Sequence, residues 1–402
     1  MRPLGLTDTI FYNLGDAYIT CVAILDGACD LAAFVADLEE VVAALPGLSE
    51  RPRRLGFWSF AVDAGKVNVA DHIAVVRDPS ITSVDGAVVF LERLRRSAIR
   101  YSGPPWRIVV LNPADPNGGR STSKGLSAIF MQARHGLGDA TRGLQILQRM
   151  GHGKPTAAHA ALAERLRVID PAHLGPEIAV HDEGLSVLQV PRRLMSREGE
   201  ASERLAAIAA RAVADAELFP HAQPLRGNVG RTHLLLRRGA PNGVGNHIKM
   251  ITVRTIARPE RKRFRLPWLA RAQELPLSQW FVALSPRRLA RRAMRIWYRN
   301  FDAIATLLPV PRNLQLGGRA VSAVFGVPPL WGPVPLVLVA LADADQYHVT
   351  VIPGRGFQAS RATLDQHIRT LFEPAAARAG QRLAEPQSVA GDLPQTAAYA
   401  KR

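Results

Sequence analysis

The sequence contains few cysteines and no long apolar run, and each shortage excludes a class of protein. Only two cysteines occur, Cys21 and Cys29, so a disulfide framework is not expected, and no Cys/His cluster has the spacing of a zinc site. We therefore expect no bound metal. No apolar run reaches about 18 residues, the length that a membrane-spanning helix needs. The N-terminus has no apolar signal segment, which predicts a cytoplasmic protein.

Positive charge is in clear excess, and nearly all of it is arginine. The 402 residues include 51 Lys and Arg against 34 Asp and Glu, a formal net charge of +17, and only six of the basic residues are lysine. Such a surface attracts phosphate groups, whether they belong to nucleic acid, anionic lipid or coenzyme A. With 47% hydrophobic residues the chain can fold around a core. Its length suits two domains, or one fold of two similar halves.

Strand and helix patterns are mixed without strict alternation, which predicts an α/β or α+β fold rather than a barrel. Apolar and alternating runs predict strands at 18–25, 67–69, 107–111, 126–133, 334–341 and 347–352. Helical spacing of apolar residues predicts helices at 31–45, 84–99, 141–150, 200–218, 286–301 and 361–379.

The most informative stretch joins the apolar strand at 126–133 to a histidine, two glycines and an aspartate. The residues after this strand are Arg134, His135, Gly136, Leu137, Gly138 and Asp139. Glycines permit a tight turn and close approach of a substrate, and a histidine at a strand end suits proton transfer near neutral pH. Asp139 fits two roles, the N-cap of the following helix or an anchor that keeps the histidine oriented.

This stretch resembles the HHxxxDG motif of the CoA-dependent acyltransferase superfamily, which includes condensation domains and chloramphenicol acetyltransferase. Other short motifs occur in the order found in its wax ester synthase/diacylglycerol acyltransferase family. They are Leu4, Thr7, Asp8 and Phe11; Asp71-His72-Ile73; Pro104-Pro105-Trp106-Arg107; Pro224-Leu225-Arg226-Gly227; and Leu316-Gly317-Gly318-Arg319 through Val327-Pro328-Pro329. The agreement is good over residues 4–150 and patchy afterwards.

The resemblance implies an α/β (α+β) fold of two chloramphenicol-acetyltransferase-like lobes with the active site at their interface. The N-terminal lobe would cover residues 1–170, a linker residues 171–195, and a shortened C-terminal lobe residues 196–402. The implied activity is transfer of a fatty acyl group from acyl-CoA to a lipid or long-chain alcohol hydroxyl, of wax ester or triacylglycerol type. Acyl-CoA is then a substrate, and no cofactor is expected.

The resemblance also assigns roles to individual residues. His135 would be the general base, and Asp139 would be architectural, paired with an arginine. The residues implied in substrate binding are Arg134, Gly136, Gly138, Trp106 and Asn246.

Several departures from the family pattern leave other functions open. Arg134 replaces the first His of the motif, Ala140 replaces its Gly, and Asn246-His247 is the nearest match to the family's N-D motif. These changes favour a degenerate, non-catalytic protein that binds lipid or a partner. A condensation-type enzyme that takes acyl groups from a carrier protein is a third interpretation.

Most of the net positive charge lies in one segment, residues 254–301. Residues 254–299 hold thirteen Lys and Arg and two Glu, a net +11 of the chain's +17. In the helix predicted at 286–301, Leu289, Ala293, Ile296 and Trp297 share one face, and the arginines that include Arg288, Arg292 and Arg295 share another. This pattern predicts contact of Arg288, Arg292, Arg295 and Trp297 with an anionic membrane or lipid droplet. The alternative is a helix packed on the core with solvated arginines. Nucleic acid is not favoured, because no recognisable module for it occurs.

Overall fold

The fold consists of β-sheets flanked by helices. The structure is a computed structural model, and it describes residues 1–14, 18–55, 58–77, 83–96, 103–113, 125–135, 140–170, 184–195, 198–220, 231–238, 248–255, 283–299, 301–328, 334–354 and 356–373. The strands are β1 (Arg2–Pro3), β2 (Tyr18–Leu25), β3 (Glu50–Leu55), β4 (Trp58–Asp63), β5 (Ile73–Arg77), β6 (Trp106–Asn112), β7 (Ser127–Arg134), β8 (Arg167–Ile169), β9 (Ser186–Pro191), β10 (Arg231–Arg238), β11 (Ile248–Thr255), β12 (Ala303–Pro309), β13 (Gln315–Leu316), β14 (Arg319–Val327), β15 (Leu336–Ala342) and β16 (Gln346–Pro353). The α-helices are α1 (Leu6–Leu14), α2 (Leu31–Ala44), α3 (Val84–Arg96), α4 (Ala140–Arg149), α5 (Ala157–Glu164), α6 (Glu198–Ala214), α7 (Arg287–Tyr298) and α8 (Arg361–Phe372).

Two large sheets organise these elements. The first has seven strands in the order β13-β14-β2-β7-β6-β5-β8, and the second has six in the order β11-β10-β12-β15-β16-β9. A small third sheet has the order β1-β4-β3. Strands and helices are mixed along the chain without strict alternation, as the sequence predicts. The two large sheets do not divide strictly between the N-terminal and C-terminal halves of the chain, because β13 and β14 from the C-terminal half complete the first sheet. Strand β9, from the segment that we interpret as a linker, lies at the edge of the second.

Local sequence signals account for several element boundaries. Helix α2 begins where the Asp30 side chain accepts hydrogen bonds from the amides of Ala32 and Ala33, 2.9 and 3.1 Å away, an ordinary N-cap. The strand predicted at 67–69 is wrong. Asn68 instead caps a 3-10 turn at Val69–His72 by accepting a hydrogen bond from the Ala70 amide. A short polar side chain there competes with strand pairing.

One apolar core joins the first sheet to one face of the second. The side chains of β15 and β16 that share this core are Val337, Val339, Leu341 and Ile352. Their neighbours on the opposite face belong to a separate core with α6 and α8. The sheets approach each other closely at Gly326 of β14, where a Cβ atom would lie 3.3 Å from Leu341 Cδ1. The absence of a side chain at Gly326 therefore permits the contact.

The turn between β13 and β14 is held tightly against the first half of the chain. Gly317 and Gly318 have φ angles of 52° and 68°, a region that side chains other than glycine rarely adopt. The Asp30 amide donates to the Gly317 carbonyl over 3.0 Å, and Arg319 Nε donates to the Ala28 carbonyl over 3.1 Å. A Cβ on Gly317 would collide with Cys29 Sγ, whereas one on Gly318 would meet no atom within 4 Å.

These two glycines allow a matched test of the contact between the β13–β14 turn and residues 28–30. We expect Gly318→Ala to lower the free energy of unfolding by about 1–2 kcal/mol, the cost of a left-handed backbone conformation. Gly317→Ala carries the same backbone cost and adds overpacking against Cys29, worth about 1–3 kcal/mol more. Denaturant titration of both variants measures the difference. Equal losses would show that the turn does not depend on close approach to Cys29.

A buried histidine lies on the face of β16 that meets the first sheet. His348 is fully buried, and its Nε2 is 3.6 Å from Asp343 Oδ2 and 3.4 Å from Gln346 Nε2. Burial lowers the pKa of His348 below its ordinary value, and the carboxylate of Asp343 opposes this effect only in part. The folded protein therefore holds His348 neutral at a pH where the unfolded chain begins to bind a proton.

The sign of this shift predicts acid sensitivity. As the pH falls below about 6.5, the unfolded chain gains a proton at His348 before the folded protein does, so the free energy of unfolding decreases. A single group contributes at most about 1.4 kcal/mol per pH unit. We expect His348→Leu to make the decrease between pH 7 and pH 5 shallower. Replacement of the exposed His152 with Gln is the control and should leave the slope unchanged. A slope that His348→Leu does not alter would contradict the prediction.

Candidate active site

The candidate site is at the end of β7, in the interior of the first sheet. This strand pairs with β2 on one side and with β6 on the other. Pairing continues to its last residue, because Arg134 is opposite Tyr18 and its amide donates to the Pro105 carbonyl over 3.0 Å. His135 follows directly and is 7% exposed. The backbone that presents the imidazole is thus fixed on both sides.

A polar network holds β7 three residues before the histidine. The Gln132 side chain is buried. Its Oε1 accepts a hydrogen bond from Arg107 Nε over 2.7 Å, and its Nε2 donates to Thr20 Oγ1 over 3.1 Å. Arg107 also donates to the Leu94 carbonyl at 3.2 Å. These bonds tie β2, β6, β7 and α3 together, so the strand register near His135 is strongly specified.

Helix α1 covers the imidazole. The rings of Phe11 and His135 are stacked, with centroids 3.8 Å apart and planes 17° apart. The next residue, Tyr12, is buried, and the guanidinium carbons of Arg134 and Arg287 lie 5.9 and 5.1 Å from the centre of its ring. Arg287 belongs to α7. His135 is therefore beside a contact between the first and second halves of the chain.

Two predicted binding residues are in the described part of this region. Arg134 contacts Tyr12 by a cation–π interaction. Trp106 pairs with Ala133, two residues before His135, and its buried indole donates to the Leu48 carbonyl over 2.7 Å. The imidazole of His72 stacks on Trp106 at 4.1 Å. Trp106 thus packs within the first sheet's core, and its role in substrate binding stays a prediction.

The remaining predicted site residues are not placed. Gly136, Gly138, Asp139 and Asn246 lie outside the described residues. The architectural role of Asp139, its arginine partner and the three binding roles therefore stay predictions.

Helix α7 places its arginines in solvent and leaves exposed two of the apolar residues that the sequence groups on one face. Ala290 is fully buried and packs with Ile10 of α1, Met294 packs beside it, and Tyr298 is buried in the main core. Leu289 and Ile296 are 50% and 56% exposed, so these two residues do not pack on the core as the alternative interpretation of the helix expected. The helix docks along residues spaced by four, 290–294–298, which turns positions 289 and 296 outward.

The exposed surface of α7 combines charge and apolar area. Arg288, Arg292 and Arg295 are all exposed and flank Leu289 and Ile296. The side chain of Trp297 is outside the described part of the structure, so its membrane contact stays a prediction. No helix among the described residues has the length and apolar character to cross a membrane.

The two cysteines do not offer a nucleophile. Desolvation raises the pKa of Cys21 and that of Cys29 to about 12, and for Cys29 the nearby Asp30 and Asp37 add to the effect. Both thiols are therefore protonated at neutral pH and unreactive. Within the described ranges, no group of three or more His, Cys, Asp or Glu could hold a metal ion.

The stack on His135 was not predictable from local sequence. Phe11 enters the sequence analysis only as part of a motif, and Tyr12 and Gln132 have no pattern that marks them. Their contacts join segments far apart in the chain. The one available signal was the aromatic residue of the N-terminal motif, Phe11, as a candidate contact of His135.

Comparison with known proteins identifies the fold. No family sequence profile and no curated protein sequence matches the chain. Among solved structures it is similar to the wax ester synthase/diacylglycerol acyltransferase from Marinobacter aquaeolei VT8, at 16% identity and TM-score 0.57, over 94% of this chain and 100% of that one. It is also similar to the starter condensation domain of the rhizomide synthetase RzmA. A variant of that domain in complex with C8-CoA gives 14% identity and TM-score 0.58, over 93% of this chain and 95% of that one.

A second variant of the condensation domain, in complex with C8-CoA and Leu-SNAC, gives 13% identity and TM-score 0.56, over 92% of each chain. These likenesses extend over nearly the whole length of all the chains. The mixed sheets described above therefore form the two-lobed α/β fold that condensation domains and the wax ester synthase/diacylglycerol acyltransferase share.

Proposed function

We propose that this protein is an acyltransferase that moves a fatty acyl group from acyl-CoA to the hydroxyl of a lipid or long-chain alcohol. The observation that carries the proposal is the placement of His135. It is buried at the end of a strand paired on both sides, under an aromatic ring, and beside the α1–α7 contact between the two halves. Such a histidine is restrained in position, as a general base must be.

The chemistry requires only this base and an activated acyl donor. His135 takes the proton of the acceptor hydroxyl while the oxygen attacks the thioester carbonyl carbon. The tetrahedral intermediate collapses, the C–S bond breaks, and the coenzyme A thiolate leaves and receives the proton from the imidazolium. General-base assistance of this kind contributes about 10²–10⁴-fold to the rate. No acyl-enzyme is needed, which agrees with the two unreactive cysteines.

Acyl-CoA is the donor class that two further observations favour. The chain carries a formal net charge of +17, which attracts the phosphates of coenzyme A. A solved condensation domain of the same fold holds C8-CoA. In this proposal Arg134, Gly136, Gly138, Trp106 and Asn246 contribute to substrate binding, and Asp139 orients the loop that follows His135.

A peripheral location on the inner face of the membrane, or on a lipid droplet, is part of the proposal. Arginines beside two half-exposed aliphatic side chains match the composition of a helix that lies on an anionic surface. Water-insoluble acceptors collect at such surfaces, so α7 would bring the protein to its substrate.

A non-catalytic lipid-binding protein is the second candidate. Arg134 occupies the position of the family's first His, and it contacts Tyr12 rather than serving as an acid or base. A lipid-binding protein would retain the α7 surface and show no turnover. The third candidate, a condensation-type enzyme, would use a carrier-protein thioester in place of acyl-CoA.

The central prediction concerns His135. We expect His135→Gln to lower turnover of palmitoyl-CoA with 1-hexadecanol or diacylglycerol by at least about 100-fold, since the general base is lost. Release of free thiol and formation of the ester are measured together. His159→Gln is the control, because His159 is half-buried on α5 and pairs with Glu39, away from β7; its turnover should equal that of the wild type.

Three outcomes decide among the candidates. Thiol release that persists in His135→Gln would reject the general base. A wild-type protein that binds lipid but releases no thiol would favour the non-catalytic candidate. Activity that appears only with a carrier-protein thioester would favour the condensation-type enzyme.

The second prediction concerns α7. We expect replacement of Arg288, Arg292 and Arg295 with Gln to weaken binding to phosphatidylglycerol vesicles on the order of 100-fold, because each arginine contributes about 1 kcal/mol. A matched triple variant, Arg51, Arg53 and Arg167 to Gln, removes the same charge from exposed positions elsewhere. Vesicle co-sedimentation at low salt compares the two.

The apolar part of the surface is tested separately. Replacement of Leu289 and Ile296 with Ser should reduce the binding that remains at high salt, since salt screens charge but not apolar insertion. Equal loss of binding in the matched triple variant would indicate general electrostatic attraction instead of a surface on α7.

A further inference from the structure

Helix α1 brings an aromatic ring into face-to-face contact with the candidate base. The centroids of Phe11 and His135 are 3.8 Å apart and the ring planes differ by 17°. A parallel stack at this distance restricts rotation of the imidazole about its χ2 bond, because rotation would drive the ring edge into Phe11. The plane in which the imidazole nitrogens point is thereby fixed.

The helix that carries Phe11 is itself held from the other side. Ile10 packs on Ala283 and Ala290, and Tyr12 contacts the guanidiniums of both Arg134 and Arg287. At the entry to the helix, the Leu4 amide donates to the Ser59 carbonyl over 2.9 Å. Phe11 is therefore part of a supported surface, which a positioning group requires.

The face of a phenyl ring also interacts with charge. A cation within about 6 Å of a ring centroid is attracted by the ring's quadrupole, and the His135 ring centroid is well inside this distance. Among the charged groups on the described neighbouring elements, the buried Asp8 of α1 favours an imidazolium. Arg134 and Arg287 are positive and oppose its formation. An aromatic face offsets part of this repulsion and introduces no acidic group that could compete for the proton.

We propose that Phe11 is a positioning residue for His135, which fixes the imidazole plane and favours the imidazolium formed when His135 takes the acceptor proton. The first effect concerns the folded protein alone, whereas the second rests on the proposed function. Phe11 touches neither the thioester nor the acceptor in this role, so it acts only through His135.

Nuclear magnetic resonance of histidine-labelled protein tests the first effect without any substrate. The His135 signal is assigned as the one missing from His135→Gln. We expect Phe11→Leu to move its Cε1 proton downfield by several tenths of a ppm, because the ring current is lost. The midpoint of its titration should fall by at least roughly half a pH unit, because an exposed cation–π contact contributes about that much and a buried one more. Phe11→Tyr keeps an aromatic ring, so its chemical shift and titration midpoint for His135 should stay close to those of the wild type.

Phe357→Leu is the matched control. Phe357 is buried and packs on Phe219 in the second core, so its loss destabilises the protein without touching His135. A His135 signal and titration that respond alike in Phe11→Leu and Phe357→Leu would overturn the proposal.

Turnover separates this inference from the proposed function. We expect Phe11→Leu to lower kcat about 3–10-fold with little change in KM, and Phe11→Tyr to restore kcat. If the His135 signal shifts in Phe11→Leu but the wild type shows no turnover, the proposed function is rejected and the positioning role stands. An active Phe11→Leu variant with normal kcat and a shifted signal would overturn the catalytic effect of the stack.

Discussion

Pairing between β14 and β2 connects the two halves of the chain, and the rest of the architecture depends on it. Six residue pairs join these antiparallel strands, from Val321 opposite Leu25 to Val327 opposite Thr20. The pairing carries a strand from the second half into the first sheet. It also places Gly326 against β15 of the second sheet, so a single apolar core extends across both sheets.

The same strand pairing supports the backbone of the candidate site. Strand β2 lies between β14 and β7, so the strand that precedes His135 is the neighbour of one of the two strands that connect the halves. Helix α1 adds a second connection through its contacts with α7. The imidazole is therefore restrained by elements from both halves, although it belongs to the first. The proposed role of His135 as general base requires a restraint of this kind.

The sequence predicted much of the fold because local signals were strong. Strand β2 and the hairpin of β15 and β16 follow apolar runs, and α2 follows a capped helical pattern with the boundaries expected. The end of β7 just before His135 was also predictable. The stack with Phe11 and the contacts of Tyr12 were not, because they join residues distant in the chain. The outward turn of Leu289 and Ile296 depends on which ridge of α7 meets α1, and a helical wheel does not contain that information.

The insertion of β14 constrains how the protein can fold. Until residues 319–327 have been made and paired, β2 is the edge of the first sheet, with eight residues that are mostly apolar. An exposed apolar edge is prone to pair with other chains, and contacts across such a long stretch of sequence slow folding. A separately expressed N-terminal half would present this edge permanently, and we expect it to aggregate. During synthesis on the ribosome, the nascent first sheet would need protection until most of the second half has emerged.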